Sequence, residues 1–150
     1  TFAAGKRDYD RTAANLKGSA AAGCPRISLL EYIYDMPVRM AAADLVVSRA
    51  GAMTVSELSL LGKAAVLVPS PYVADNHQLR NAQALVRAGA GVCVEEDGLP
   101  GGALERAVLP LLAQSAERAA MGQRLQEGFA CPDANERLCV ELLRLARGQA

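Results

Sequence analysis

Residues 45–69, LVVSRAGAMTVSELSLLGKAAVLVP, decide the fold of this chain. Leu45–Ser48 is predicted to be a strand, and Thr54–Leu61 a helix that ends at Gly62. Ala64–Pro69 is predicted to be the next strand, and its continuous run of Val and Leu is typical of a strand buried on both faces. A strand, a helix and a strand joined by short connections indicate a parallel sheet.

The same alternation extends over the rest of the chain. Further strands are predicted at Thr1–Ala4, Ile27–Tyr32 and Gly91–Glu95. Further helices are predicted at Asp10–Ala22, Pro37–Ala43 and His77–Ala88, and throughout the sequence from Gly101. The sequence therefore predicts an α/β fold with a mostly parallel sheet. Such sheets bind ligands outside the carboxyl ends of their strands, so the loops after Tyr32, Ser48 and Pro69 are the candidate binding loops.

The last predicted helix has a start signal and an apolar stripe. Asp133 is predicted to be its N-cap residue, with Glu136 three residues further on, a relative of the capping box. Leu138, Leu142 and Leu145 recur at i, i+4 and i+7. We expect this stripe to pack on the sheet.

The composition is that of one globular domain. The chain has 150 residues, of which 51% are hydrophobic and 21% charged, and its 16 basic residues balance 16 acidic ones. This composition argues against disorder, and the balanced charge argues against a nucleic-acid interface. No membrane-spanning segment or signal peptide is predicted. Because the sequence opens without Met inside a predicted strand, we expect it to be a piece of a longer protein.

The metal-binding and redox-active side chains are few and scattered. Cys24, Cys93, Cys131 and Cys139 show no CxxC spacing, and His77 is the single histidine. A zinc site is therefore not expected, and no other metal or cofactor is predicted. Unpaired thiols suit a reducing cytosol.

The loop after the third predicted strand is built from small residues. It leads from Ser48 through Gly51 and Ala52 to the helix expected at Thr54. Small side chains let a ligand approach the backbone, and the free amides of a first helical turn attract phosphate. Thr54 and Glu57 also fit a capping box, which would give both residues a purely structural role. The residues alone leave both interpretations open.

The loop after the fourth predicted strand collects polar side chains. His77, Gln78 and Asn81 lie at i, i+1 and i+4, at the start of the next helix, and their imidazole and amide groups suit sugar hydroxyls. The alternative is a helix start capped by Asp75 or Asn76, with the other groups in solvent. A lone histidine without a nearby Ser or Cys nucleophile pattern does not indicate a catalytic triad.

Taken together, the two loops resemble a known family. The segments ADLVVSRAGAMTVSE from Ala43 and LLGKAAVLVPSPYVADNHQLRNAQAL over Leu60–Leu85 are similar to the MurG family of bacterial N-acetylglucosaminyltransferases. The segment Glu31–Met36 resembles the family's F-I-x-x-M stretch, and the resemblance continues through Ala88–Ala90 and the helix at Pro132–Ala134. Members of this family convert lipid I to lipid II in peptidoglycan synthesis.

The resemblance implies a fold and a domain. The family has the glycosyltransferase-B fold of two Rossmann-like halves, and its C-terminal half binds UDP-N-acetylglucosamine (UDP-GlcNAc). Residues 1–150 are expected to be that C-terminal half, a parallel sheet flanked by helices that lacks its own first strand and its Gly/Ser-rich loop. Thr1–Ala4 would then be the second strand, beside an unpaired edge. The acceptor site, the general base and the membrane-facing patch would lie in an N-terminal half outside this sequence.

The resemblance also assigns the nucleotide contacts. Glu57 would accept hydrogen bonds from the ribose hydroxyls. Met53 and Thr54 would offer amides, and Thr54 its hydroxyl, to the diphosphate. Ile33 would lie against uracil, with its main-chain groups reading the edge of the base.

The contacts to the sugar follow in the same way. Ala52 would approach it through its backbone, and His77 and Gln78 would contact the GlcNAc hydroxyls. Asn81 would support them, and Arg49 would brace the loop rather than touch the substrate.

For the whole enzyme, the resemblance implies an inverting, metal-independent transfer to lipid I at the cytoplasmic face of the bacterial membrane. The catalytic groups are unknown in this chain, which alone is expected to be inactive and to self-associate through exposed strand edges. Two alternatives are the donor half of another glycosyltransferase-B enzyme with a lipid acceptor, and a non-catalytic nucleotide-binding module. Preference for UDP-GlcNAc over UDP-glucose would distinguish the first of these.

Overall fold

The structure is a computed structural model that describes residues 1–148 of the chain. It divides into two compact units, Thr1–Val38 and Arg39–Ala150. Its strands are β1 (Phe2–Ala3), β2 (Leu29–Leu30), β3 (Val46–Ser48), β4 (Ala65–Leu67) and β5 (Val92–Cys93). Its helices are α1 (Tyr9–Lys17), α2 (Met36–Ala42), α3 (Ala52–Leu61), α4 (His77–Arg87), α5 (Ala103–Ala113), α6 (Ser115–Phe129) and α7 (Ala134–Ala146). Short 3₁₀ turns occupy Ala74–Asn76 and Glu96–Gly101.

The first unit is a single strand–helix–strand motif. Strands β1 and β2 pair in parallel, with Phe2 opposite Leu29 and Ala3 opposite Leu30. Helix α1 ends before Gly18, earlier than predicted, and the Ser19 hydroxyl donates to the Leu16 carbonyl at 2.8 Å in the turn that follows. No side chain before Arg39 is fully buried.

The second unit contains a three-stranded parallel sheet in the order β3-β4-β5. Val46 pairs with Ala65, and Val66 with Val92. The predicted α/β fold with parallel pairing is thus confirmed, although residues 1–148 form two sheets rather than one. Within these residues β1, β2, β3 and β5 each have a strand neighbour on one side only. The expected place of Thr1–Ala4 as the second strand of a larger sheet stays a prediction.

Strand β4 is the centre of the hydrophobic core. All of its residues are completely buried, so the prediction of a strand covered on both faces is confirmed. Leu67 packs in one cluster with Leu58 of α3 and Leu85 of α4. Val66 points into a second cluster, formed with side chains of α5 and α6. Helices on both faces of the sheet hold the carboxyl ends of the three strands side by side.

The expected docking of the last helix is wrong for the part of the chain that the structure describes. Leu138, Leu142 and Leu145 of α7 are 57–62% exposed. Helical periodicity identifies an apolar face, but it does not identify the surface that covers it. Asp133 is the N-cap residue as predicted, but its side chain forms no capping bond and instead lies 3.5 Å from the Cys131 sulfur.

No helix within residues 1–148 has both the length and the apolar character needed to cross a membrane.

Helices α3 and α6 approach closely through two glycines. Gly62 ends α3 in the left-handed conformation (φ 59°, ψ 41°), which favours glycine. Gly122 of α6 faces it, and a Cβ atom at position 122 would lie 2.0 Å from the Gly62 carbonyl oxygen. The side-chain amide of Gln126 donates to the Leu60 carbonyl beside this contact at 3.2 Å. The helices can therefore pack at this distance only with glycine at position 122.

We predict that Gly122→Ala destabilises the protein, because the new methyl group would have to push α6 away from backbone atoms. The expected loss is about 1–3 kcal/mol in the free energy of unfolding, measured by urea denaturation. Gly128→Ala is the matched control, since it lies in the same helix and its Cβ would meet no atom of the described chain within 4 Å. It should stabilise the protein by about 0.5–1 kcal/mol. Equal effects of the two variants would contradict the close contact.

The thiol of Cys93 sits in a protected position on β5. Its pKa is raised above the ordinary value of 9.0, chiefly by burial and secondarily by the nearby Glu95 carboxylate. Both causes disfavour the thiolate. Cys131, by contrast, is exposed.

We predict two consequences for Cys93. At pH 8, iodoacetamide should alkylate Cys131 before Cys93, which peptide mass spectrometry would detect. Because the folded state holds the Cys93 proton more tightly, its contribution to stability is full below the ordinary pKa and is lost as the pH rises through the raised one. Cys93→Ser should therefore weaken the fall in stability above pH 9, which urea denaturation at several pH values would measure.

Candidate functional site

The two loops singled out from the sequence lie together at the carboxyl edge of the β3-β4-β5 sheet. The Asn81 side-chain amide, in the first turns of α4, donates to the Ala50 carbonyl in the loop after β3 at 2.9 Å. Ala50 is completely buried, so this bond gives its carbonyl the hydrogen-bond donor that water cannot provide. The loops after β3 and β4 are therefore neighbours in the structure.

Helix α3 begins two residues earlier than predicted. Gly51 is its N-cap residue, and the first helical bond runs from the Val55 amide to the Gly51 carbonyl at 3.0 Å. Among the described residues no side chain caps this helix, and Thr54 and Glu57 lie in its first and second turns. The capping-box interpretation is therefore wrong, because both residues are too far into the helix to form the reciprocal bonds.

The start of α3 presents free hydrogen-bond donors. The backbone amides of Ala52, Met53 and Thr54 have no acceptor within residues 1–148. Helix N-termini carry partial positive charge, and donors left without a side-chain cap are available to an anion. The Met53 and Thr54 amides, which the family resemblance assigns to a diphosphate, thus have no acceptor in the described part of the chain.

Gly51 keeps the space in front of these amides open. Its backbone angles (φ −67°, ψ 150°) are accessible to any residue, so the conformation does not require glycine. Within 4 Å, a Cβ atom there would meet just one atom of residues 1–148 outside its chain neighbours, the Thr54 hydroxyl at 3.9 Å. Neither backbone strain nor protein packing therefore explains glycine at this position. Close approach of another molecule to the backbone would explain a glycine here.

Two predicted nucleotide contacts project from the exposed side of α3. Met53 is 75% exposed. Glu57 is also exposed, and its carboxylate has no hydrogen-bond or ionic partner in the described part of the chain. An unpaired carboxylate can accept hydrogen bonds from two neighbouring hydroxyls.

The loop after β4 enters α4 through an unusual backbone. Asp75 (φ 52°) and Asn76 (φ 50°) both adopt the left-handed conformation, which is unfavourable for residues other than glycine, although Asp and Asn tolerate it better than most. Asn76 is the N-cap residue, but its side chain makes no capping bond. The alternative of an Asp75 or Asn76 side-chain cap is therefore wrong. Strained backbone of this kind clusters at binding sites.

The polar residues that follow are held in defined orientations. Gln78 accepts a hydrogen bond from the Ser70 amide at 2.9 Å through Oε1, which leaves its Nε2 donor available. The Nδ1 atom of His77 lies 2.8 Å from the Ala74 carbonyl, so Nδ1 donates and Nε2 remains open to another group. Together with the Asn81 bond, these contacts show that the three side chains are not simply solvated.

Arg49 links the three strand ends. Its guanidinium donates to the Val68 carbonyl at 3.2 Å and forms an ion pair with Glu96, the first residue of the 3₁₀ turn after β5. These are the contacts expected of a residue that braces its loop. The sequence analysis missed Glu96, although the acidic run of residues 95–97 follows a predicted strand and so lies at the same edge of the sheet.

An acidic cleft of about 290 Å³ opens beside these loops. It is lined by Pro69, Ser70, Pro71, Asn76, Leu79, Glu95, Glu96 and Asp97.

The Ser48 hydroxyl, at the end of β3, is buried without a hydrogen-bond partner among the described residues. No three His, Cys, Asp or Glu side chains within residues 1–148 are grouped so that they could hold a metal ion.

Ile33 belongs to the first unit. It is half-buried between β2 and α2, next to two exposed tyrosines. The rings of Tyr32 and Tyr34 form an edge-to-face pair with centroids 4.9 Å apart. The expected contact of Ile33 with uracil stays a prediction.

Comparison with known sequences identifies the domain family. The sequence model of the glycosyltransferase family 28 C-terminal domain matches residues 1–138. A relative from Acetivibrio thermocellus is 51% identical over 98 residues, which are 65% of this chain and 26% of the relative. A relative from Limosilactobacillus reuteri is 37% identical over 145 residues, 97% of this chain and 39% of the relative. Both are named UDP-N-acetylglucosamine–N-acetylmuramyl-(pentapeptide) pyrophosphoryl-undecaprenol N-acetylglucosamine transferase.

Comparison with solved structures agrees. The crystal structure of Acinetobacter baumannii MurG matches with a TM-score of 0.78 and 30% identity, over 93% of this chain and 39% of that one. The match confirms the predicted Rossmann-like half of a glycosyltransferase-B fold. This chain spans between a quarter and two-fifths of the length of these relatives. It belongs to glycosyltransferase family 28, as a C-terminal domain of the MurG type.

Proposed function

We propose that residues 1–150 form the donor-binding half of an enzyme that transfers GlcNAc from UDP-GlcNAc to lipid I in peptidoglycan synthesis. The names of the relatives state the transferase activity and the undecaprenol-linked acceptor. Because this chain spans only part of their length, its own role is binding of the nucleotide sugar. Turnover would require the other half.

The observation that carries this proposal is the uncapped start of α3. The amides of Ala52, Met53 and Thr54 have no acceptor within the described residues, and Gly51 leaves the space before them open. A diphosphate at this position would accept several amide hydrogen bonds at the positive end of the helix. Glu57, one turn further along α3, would then accept hydrogen bonds from the ribose hydroxyls.

The sugar contacts come from the neighbouring loop. In this proposal, Nε2 of Gln78 and Nε2 of His77 face the GlcNAc hydroxyls, while Ala52 approaches the sugar through its backbone. Asn81 acts indirectly, because its amide is already committed to the Ala50 carbonyl. The protein bonds to Gln78 and His77 preset both side chains and so reduce the entropy lost on binding.

The same geometry suits the departure of UDP. In an inverting transfer, the acceptor hydroxyl attacks the anomeric carbon, the bond to the diphosphate breaks, and negative charge grows on the leaving oxygen. Fixed amides at a helix start stabilise that charge without having to reorganise during the reaction. A base that takes the proton of the acceptor hydroxyl would belong to the other half, and no residue of this chain is assigned that role.

The remaining parts of the proposal rest on the family resemblance. They are the contact of Ile33 with uracil, binding of lipid I by the other half, and a peripheral location on the cytoplasmic face of the membrane. Self-association through strand edges is proposed for the chain alone, and a monomer in light scattering would contradict it.

Calorimetric titration with UDP-GlcNAc, UDP-glucose and ADP tests the proposal. We expect the protein to prefer UDP-GlcNAc to UDP-glucose and to bind ADP weakly or not at all. Gln78→Ala should reduce affinity for UDP-GlcNAc more than affinity for UDP, since the variant loses a sugar contact. Gln83→Ala, an exposed amide of the same helix, is the matched control and should bind like the wild type. A folded protein that binds none of these nucleotides would contradict the proposal.

Glu57→Ala separates binding from stability. Glu57 is exposed and makes no bond within the described chain, so its loss should change the free energy of unfolding by less than about 0.5 kcal/mol. Affinity for UDP should fall by about tenfold or more, because the hydrogen bonds that a charged carboxylate would make to the ribose are lost. Ser56→Ala, the exposed neighbour on α3, should alter neither quantity. Unchanged UDP affinity in Glu57→Ala would remove this residue from the site.

A further inference from the structure

The loop between β3 and α3 is held from two sides. On one side, the Asn81 side chain donates to the Ala50 carbonyl at 2.9 Å. On the other, the Arg49 guanidinium donates to the Val68 carbonyl at the end of β4. The residue that follows Ala50 is Gly51, the N-cap residue of α3. These two attachments therefore set the direction in which the first amides of the helix point.

The Arg49 attachment depends on a third element. Its guanidinium forms an ion pair with Glu96, the first residue of the 3₁₀ turn after β5, and within residues 1–148 Arg49 has no other ionic partner. The Glu96 side chain is 26% exposed and that of Arg49 is 51% exposed, so solvent screens the pair only in part. Glu95 and Asp97, on either side of Glu96, are exposed and form no hydrogen bond or ion pair in the described chain.

The position of the ion pair also decides where the positive charge of Arg49 acts. A guanidinium that is free to turn could leave the Val68 carbonyl and reach toward an anion near the start of α3. With Glu96 in place, Arg49 stays at the strand ends and its charge is neutralised there. The diphosphate would then meet amides that are fixed before it arrives, which is the condition for strong stabilisation by hydrogen-bond donors.

We propose that Glu96 is a positioning residue of the diphosphate site, which acts through Arg49 to fix residues 49–53. The proposal rests on the function proposed above. Glu96 itself touches neither the nucleotide nor the sugar. Glu96 lies in the turn after β5, outside the two sequence motifs that resemble the family.

The binding test compares three variants in UDP titrations. Glu96→Ala should weaken UDP binding by about three- to fivefold, as expected for a partly exposed ion pair. Glu96→Gln should recover most of the affinity, because its amide oxygen can still accept a hydrogen bond from Arg49. Asp97→Ala is the matched control, since it removes an unpaired carboxylate from the same turn, and it should bind like the wild type.

A second measurement requires no ligand. The Val55 amide bonds to the Gly51 carbonyl at the start of α3, so its hydrogen exchange reports how firmly that start is held. Exchange of this amide should be faster in Glu96→Ala than in Glu96→Gln, Asp97→Ala or the wild type. The Ala90 amide, bonded to the Leu85 carbonyl at 2.9 Å, should exchange equally in all four proteins.

These outcomes keep the two proposals separate. If Glu96→Ala binds UDP as well as the wild type, or more tightly because Arg49 has been released, the positioning role is overturned. Affinity in Glu96→Gln as low as in Glu96→Ala would overturn it too, because the hydrogen-bonded geometry would then not be what Glu96 supplies. A wild-type protein that binds no UDP would refute the proposed function, and the exchange of the Val55 amide would still decide whether Glu96 fixes the loop.

Discussion

The complete burial of β4 is the constraint on which the second unit depends. A strand covered on both faces must satisfy its backbone through two neighbouring strands and its side chains through helices above and below. Parallel pairing with β3 and β5 then brings three carboxyl ends to one edge. The loops that carry Gly51, Gln78 and Glu96 are neighbours for this reason, although they are far apart along the chain.

At that edge the backbone is less stable locally than it could be, and its polar groups remain free to bind another molecule. The start of α3 has no side-chain cap, although a good cap typically stabilises a helix by about 1 kcal/mol. The entry to α4 contains two left-handed non-glycine residues, Asp75 and Asn76. Both features are unfavourable for folding alone, and both occur at the same edge of the sheet. Their concentration there is what a ligand site in an otherwise well-packed domain leads one to expect.

The sequence predicted what depends on local pattern and failed where distant partners decide. The continuous apolar run identified β4, and the small residues with their following helix identified the loop before α3. The capping box at Thr54 and Glu57 was wrong because the helix starts earlier, at Ala52, with Gly51 as its N-cap residue. The leucine stripe of α7 revealed an apolar face but not what covers it. Glu96 was missed because its partner, Arg49, is close only after the sheet has formed.

The contact between Gly62 and Gly122 has a consequence for how this domain can diverge. Any side chain at position 122 would collide with backbone at the end of α3, and backbone cannot move aside as a flexible side chain can. A relative that carries a larger residue there must have shifted the whole of α6. That helix contributes Leu125 to one face of the core and Met121 to the other, so both core faces would have to be rebuilt at the same time. Evolution can therefore vary this position only together with the packing of the entire unit.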